Sequence, residues 1–168
     1  RTTVWAGHQA DYAERAEATA RILKISEQLL EDNLRRPDTP GHAAMASMLE
    51  SVSMVTGVPG GFVGPGAAQR LADPLPHLTD LVLDARTRGT VAYNVDRTIQ
   101  TASDVREVLS LDTFSVLNTL GKNLGDATED DAEVQLQPLI ADVLRGSLAL
   151  AGLVNESLVR DAVWAFVE

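Results

Sequence analysis

Apolar side chains recur at spacings of three, four or seven along most of this chain, and this period constrains the fold more than any other feature. The pattern runs from Trp5 to about Leu34, and it is equally clear over 89–110. Such spacing places apolar side chains on one face of an α-helix. No stretch shows the sustained alternation of a half-buried strand between hairpin turns. The sequence therefore predicts an all-α fold, a helical bundle of about six to seven helices, two or three of them long.

Glycine and proline mark where the first helices end. Pro37 and Pro40-Gly41 stop the first one, and Thr39 is a suitable N-cap for a second helix that runs through Val55. The segment 57–66, GVPGGFVGPG, holds five glycines and two prolines and predicts a Gly/Pro-rich loop. Residues 67–88 are expected to form short helical pieces.

The second half of the chain predicts four more helices. The first spans 89–110, and the next follows Asp112 and ends near Gly121 or Gly125. An acidic connector, 126–133, then leads into a helix that reaches Gly152, with Pro138 tolerated only near its first turn. The last helix is expected to begin near Asn155.

A chain of 168 residues is long enough for one domain, which we expect to span 1–168. Its apolar fraction is 45% but only 4% is aromatic, so the core must consist mainly of Ala, Leu and Val. The chain begins without a Met and stops inside an apolar pattern at Glu168, so we expect both ends to be cuts in a longer polypeptide.

Net charge and composition exclude several classes of partner. The formal charge is −10, which repels nucleic acids and anionic membrane surfaces, so neither is an expected partner. No cysteine is present, which excludes disulfides and thiol chemistry and fits a cytoplasmic location. No apolar run approaches the roughly 20 residues that span a bilayer.

No catalytic, metal or cofactor motif stands out. The glycine-rich loop lacks the Lys-Ser/Thr ending of a P-loop, and the three histidines are too scattered to suggest a metal site. The acidic run at 126–133 does not match a calcium loop and is typical of a solvated helix start. No cofactor is therefore encoded by a recognisable motif, and no metal site is predicted.

Charged side chains follow one face of two different helices. Glu14, Glu17 and Arg21 share a face of the first helix, where such pairs stabilise an exposed helix by only a few tenths of a kcal/mol. Glu14-Arg15 is followed by Thr19-Ala20, and Asp96-Arg97 is followed at the same offset by Thr101-Ala102. This weak internal repeat predicts that the two helices face each other, and inward-facing charges would require complete pairing.

Three blocks of sequence resemble the bacterial Alpha-E domain, a helical domain of unknown activity named for its Glu-Arg motif. They are YAERAEATARIL (12–23), NVDRTIQTASDVREVLSLDTFSVLN (94–118) and LALAGLVNESLVRDAVWAFVE (148–168). The family's Glu-Arg motif matches Glu14-Arg15, its central block matches Arg97 and Arg106, and its late block matches Arg160-Asp161. The family usually continues into a second Glu-Arg segment, which this chain lacks.

The resemblance implies an association rather than a mechanism. Alpha-E domains are typically encoded beside, or fused to, a circularly permuted ATP-grasp ligase, often with a transglutaminase-like peptidase nearby. The sequence of residues 89–114 is most similar to Alpha-E domains that are fused to the ligase. The ligase, in cis or in trans, would bind ATP and Mg²⁺ and form amide bonds in peptides.

These expectations leave three hypotheses open, and whether the chain is an enzyme is not decided. The first is an accessory or substrate-handling domain of an ATP-grasp amide-ligase system for peptide synthesis or modification. The second is an independent enzyme that acts on the ligase's peptide product, and the third is a non-catalytic helical docking module. Under the first, a polar cluster that binds substrate is formed by Glu14, Arg15, Glu17, Arg21, Arg97, Arg160 and Asp161.

Overall fold

The structure is a computed structural model. It describes the backbone of residues 2–36, 38–104, 106–107, 109–127 and 129–164, and the side chains of 11–36, 38–104, 106–107, 109–127 and 136–153. Within this described part the chain forms seven α-helices and no strand, which confirms the all-α prediction. The helices are α1 Thr2–Asn33, α2 Pro40–Thr56, α3 Ala67–Ala72, α4 Leu75–Leu83, α5 Val91–Asp104, α6 Leu111–Asp126 and α7 Glu129–Trp164.

Four of these helices form a bundle. α1 packs against α5, α5 against α6, α6 against α7 and α7 against α1, so their contacts close a ring. Asn123 contacts Asp142 and Leu120 packs against Gly146, a pairing that shows α6 and α7 to be antiparallel. α2 lies against α1, and α4 contacts α5, α6 and α7.

The core of the bundle is aliphatic, as the low aromatic content requires. Among the described residues Phe62 supplies the one aromatic ring in it, and this side chain comes from the loop 57–66. The Phe62 backbone N–H donates to Ser53 Oγ at 2.5 Å, and Arg70 donates from Nε to the Gly61 carbonyl at 2.6 Å. The loop is thus fastened to α2 and α3 while Phe62 occupies the core.

Local capping chemistry sets several helix boundaries. Thr39 is the N-cap of α2, where its side chain accepts a hydrogen bond from the His42 N–H, as its position predicts. Ser110 caps α6 in the same way through the Thr113 N–H. Because Ser110 begins a new helix, α5 ends at Asp104 rather than at Ser110, and the prediction of a helix over 89–110 was too long.

The last part of the chain differs most from its prediction. One helix, α7, covers both segments that were expected to be separate helices, so Gly152 does not interrupt it. Pro138 lies well inside α7, although it has no N–H to donate to the carbonyl four residues earlier. Packing of α7 against both α1 and α6 outweighs these local preferences.

One segment is longer and more apolar than the sequence reading allowed. Leu136–Leu153 in α7 has a mean hydropathy of 1.2 over 18 residues, enough by length and composition alone to cross a membrane. Core helices of soluble proteins pass the same test, and four aliphatic side chains of this segment are buried in the core of the bundle: Leu136, Leu139, Ile140 and Val143.

Candidate functional site

The charged face of α1 points to solvent in the region of the Glu-Arg pair. Glu14 and Arg15 are exposed, and within the described side chains neither takes part in a hydrogen bond or ion pair. The opposite face of α1, with Ala16, Ala20 and Leu23, is buried in the core. Glu14 and Arg15 therefore face away from the bundle, because the apolar face of α1 fixes which side meets it.

Glu17 and Arg21 form an ion pair along the surface of α1. Arg21 donates to Glu17 Oε1 from Nη2 at 2.5 Å and from Nε at 2.9 Å. The Arg21 side chain is 62% exposed and that of Glu17 is 26% exposed. A pair this exposed stabilises the fold by about 1 kcal/mol at most, so the pair is available to a ligand at little cost.

The internal repeat marks a real helix–helix contact. α1 packs against α5, and the repeated alanines, Ala20 and Ala102, are 0% and 1% exposed. The prediction that these two helices face each other is confirmed.

A polar stripe on α5 consists of Asn94, Arg97, Thr101 and Asp104. Unlike the charged face of α1, it turns partly inward. Asn94 is 2% exposed, and its side-chain amide donates to the Thr90 carbonyl at 2.9 Å. Arg97, one turn further along, is partly buried. α5 therefore carries polar groups that are shielded from water, whereas the Glu-Arg pair on α1 is hydrated.

Arg97 is held in place but has unused hydrogen-bonding capacity. Its Cζ lies 5.2 Å from the centroid of the Tyr93 ring, and its Nη1 donates to Gln100 Oε1 at 2.8 Å. Gln100 is itself held by Asp96 Oδ2 at 2.7 Å. The Nε of Arg97 is buried and has no hydrogen-bond partner among the described residues. Nε and Nη2 form the edge of a guanidinium that binds carboxylates in bidentate fashion, and this edge is unfilled among the described residues.

Two of the predicted site residues lie beyond the side chains that the structure describes. The side chains of Arg160 and Asp161 lie outside the described part, so their predicted convergence with Arg97 stays a prediction. Arg106, another family position, lies over the Phe114 ring at 5.6 Å and so ties the segment after α5 to α6. A search of the described residues finds no group of three His, Cys, Asp or Glu side chains that could hold a metal ion.

The model of the Alpha-E family, described as a predicted alpha-helical domain with a conserved ER motif, matches residues 10–168. The chain belongs to the Alpha-E family. Its one Glu-Arg dipeptide, Glu14-Arg15, lies inside the matched range and on the exposed face of α1.

Relatives of this Alpha-E domain are much longer proteins. The chain is 27% identical over 173 residues to the uncharacterized protein Rv2567 of Mycobacterium tuberculosis (strain ATCC 25618 / H37Rv) and to the uncharacterized protein Mb2597 of Mycobacterium bovis (strain ATCC BAA-935 / AF2122/97). Each match covers 98% of this chain and 19% of the relative. No solved structure matches the chain.

The Alpha-E domain also contains a cleft that the sequence reading missed. It measures about 280 Å³ and lies between the loop 57–66, α4 and the segment that leads into α5. Its walls include Val58, Pro59, His77, Asp80, Leu81 and Asp84. His77 and Asp80 lie three residues apart on α4 and so share one side of it, and Asp84 follows directly as its C-cap. Treating the histidines as scattered hid this signal.

Proposed function

We propose that this Alpha-E domain is an accessory, substrate-handling domain of an ATP-grasp amide-ligase system that makes or modifies peptides, in which Arg97 holds an oxyanion of the substrate. The observation that carries the proposal is the unfilled Nε–Nη2 edge of a guanidinium already held by Tyr93 and Gln100. A peptide carboxylate is the group that such an edge binds best.

The chemistry of amide formation assigns the activation step to a ligase and not to this domain. Joining a carboxylate to an amine requires activation of the carboxylate, and this chain has no nucleotide-binding motif. The ATP-grasp ligase, in cis or in trans, would supply ATP and Mg²⁺, and a transglutaminase-like peptidase would act on the same peptides. The relatives support an accessory role, because the matching segment occupies 19% of each polypeptide.

The experiment replaces Arg97 in the full-length protein together with its ligase. Arg97→Met keeps an unbranched stem but removes the donors, and Arg35→Met is a control on an exposed arginine of the connection after α1. We expect Arg97→Met to lower the rate of peptide ligation about 10- to 100-fold, the loss of one charge-assisted contact, and Arg35→Met to leave it unchanged. Mass spectrometry of the peptide product measures the rate.

Stability separates this role from a purely structural one. Because the Arg97 Nε is buried without a partner, Arg97→Met should leave the free energy of unfolding equal or higher. A variant that unfolds more easily would support a structural role. Unchanged ligation by a folded Arg97→Met variant would refute the proposal.

The exposure of Glu14 and Arg15 favours a second candidate, a helical docking module. Unpaired charges of opposite sign on a helix surface suit recognition of another protein better than catalysis. The double variant Glu14→Arg with Arg15→Glu keeps the net charge and reverses the pattern. If docking is the function, this variant should lose affinity for the ligase while Arg97→Met keeps it, as titration calorimetry would measure.

A further inference from the structure

The cleft beside α4 has walls that are fixed by hydrogen bonds before any ligand arrives. On one side, Arg70 fastens the loop through Nε to the Gly61 carbonyl and through Nη2 to the Pro65 carbonyl at 2.7 Å. On the other side, Thr90 Oγ1 lies 2.5 Å from the Asp84 carbonyl and 2.9 Å from that of Thr87. Such a cleft can bind a ligand without first ordering its own backbone.

Three titratable side chains line this cleft. Asp84 Oδ1 accepts from the Arg86 N–H at 2.8 Å and the Thr87 N–H at 3.3 Å. The Thr87 side chain and these backbone donors hold the pKa of Asp84 below its usual range, so this carboxylate is ionised at neutral pH. Asp80 is exposed and makes no side-chain hydrogen bond in the described part of the chain.

His77 supplies a neutral polar group. Burial lowers the pKa of its imidazole; Asp80 opposes this effect and Arg70 adds to it. Its Nε2 is buried and has no hydrogen-bond partner within the described part of the chain, while the ring meets Phe62 edge-on at 5.0 Å between centroids. A neutral imidazole has one nitrogen that accepts a hydrogen bond.

The charge of the lining selects the ligand class. Of the side chains that the structure describes, two carboxylates and no Lys or Arg line the cleft, since Arg70 is engaged with the loop carbonyls and Arg86 is exposed outside it. The other walls include Val58, Pro59 and Leu81, which favour an organic body over a hydrated ion. We propose that this cleft binds a small organic ammonium group, with the carboxylates of Asp80 and Asp84 accepting its N–H bonds and the apolar walls packing on its carbon chain.

This proposal is independent of the role assigned to Arg97. The probe is n-butylammonium chloride, compared with n-butanol, which has the same chain without charge, and with sodium butyrate, which has the opposite charge. Nuclear magnetic resonance would follow the imidazole signal of His77 and the backbone amides of 58–60 during each titration. We expect a saturable shift with butylammonium and affinities at least about tenfold weaker for the two comparison compounds.

Variants test the contribution of the carboxylates. Asp80→Asn should weaken butylammonium binding about tenfold or more, whereas Asp32→Asn, an equally exposed change on α1, should leave it unchanged. Asp80 has no structural hydrogen bond from its side chain, so the variant should fold normally. No saturable shift at His77, equal binding of butyrate, or full affinity in Asp80→Asn would each overturn the proposal.

Discussion

Gly89 lies in the connection between α4 and α5, at a position where a side chain does not fit. Its φ is +102°, a conformation that favours glycine, and a Cβ there would overlap the carbonyl oxygen of Thr56. Gly89→Ala should therefore lower the free energy of unfolding by roughly 2–4 kcal/mol. Urea denaturation followed by circular dichroism measures the change.

The matched control for Gly89 is Gly57. It also has a positive φ, +64°, but a Cβ added there meets nothing within 4 Å. Gly57→Ala should cost about 1 kcal/mol, the conformational strain alone. Equal losses in the two variants would show that the overlap with Thr56 contributes nothing.

Protonation of His77, which lines the cleft, should make the stability of the domain depend on pH. Because its folded pKa is lowered from 6.5, the unfolded chain binds the proton more readily, so stability is lost as pH falls below that value and is regained as pH rises. The imidazole signal of His77 should titrate at a lower pH in the folded chain than in urea. A midpoint equal to or above the unfolded value would contradict the burial of this ring.

At the scale of the element, α7 contains a proline that lowers its stability. Pro138 is exposed, and its ring removes one helical hydrogen bond. Pro138→Ala should raise the free energy of unfolding by about 1–3 kcal/mol. Lys122→Ala on the exposed face of α6 is the control and should change it by less than about 0.5 kcal/mol.

The element scale also shows where sequence reading works and where it fails. The N-cap Thr39 could be predicted from the sequence because capping depends on a hydrogen bond between residues three apart in the chain. Gly152 was misread because its local cost of about 1 kcal/mol is smaller than the gain from packing α7 against α1 and α6. Helix propensity thus identified the segments, while tertiary contacts decided which of them join.

At the scale of the whole molecule, the net charge of −10 opposes compaction. Salt screens this repulsion, so the free energy of unfolding at pH 7 should rise as sodium chloride is increased to about 0.15 M. Near pH 4.7, where the net charge vanishes, the effect should shrink. A fall in stability with added salt at pH 7 would show that attractive surface pairs outweigh the repulsion.

The sequence by itself determined the helical class, the break between α1 and α2, the Gly/Pro-rich loop 57–66, the aliphatic core and the contact between the repeated segments. These features depend on spacing and on short-range hydrogen bonds, which a linear pattern records. Only the tertiary structure decided that Glu14 and Arg15 face water, that Arg97 keeps an unfilled edge, and that His77 and Asp80 line one cleft together with Val58. Those outcomes depend on which apolar faces pack together, and residues far apart in the chain make that choice jointly.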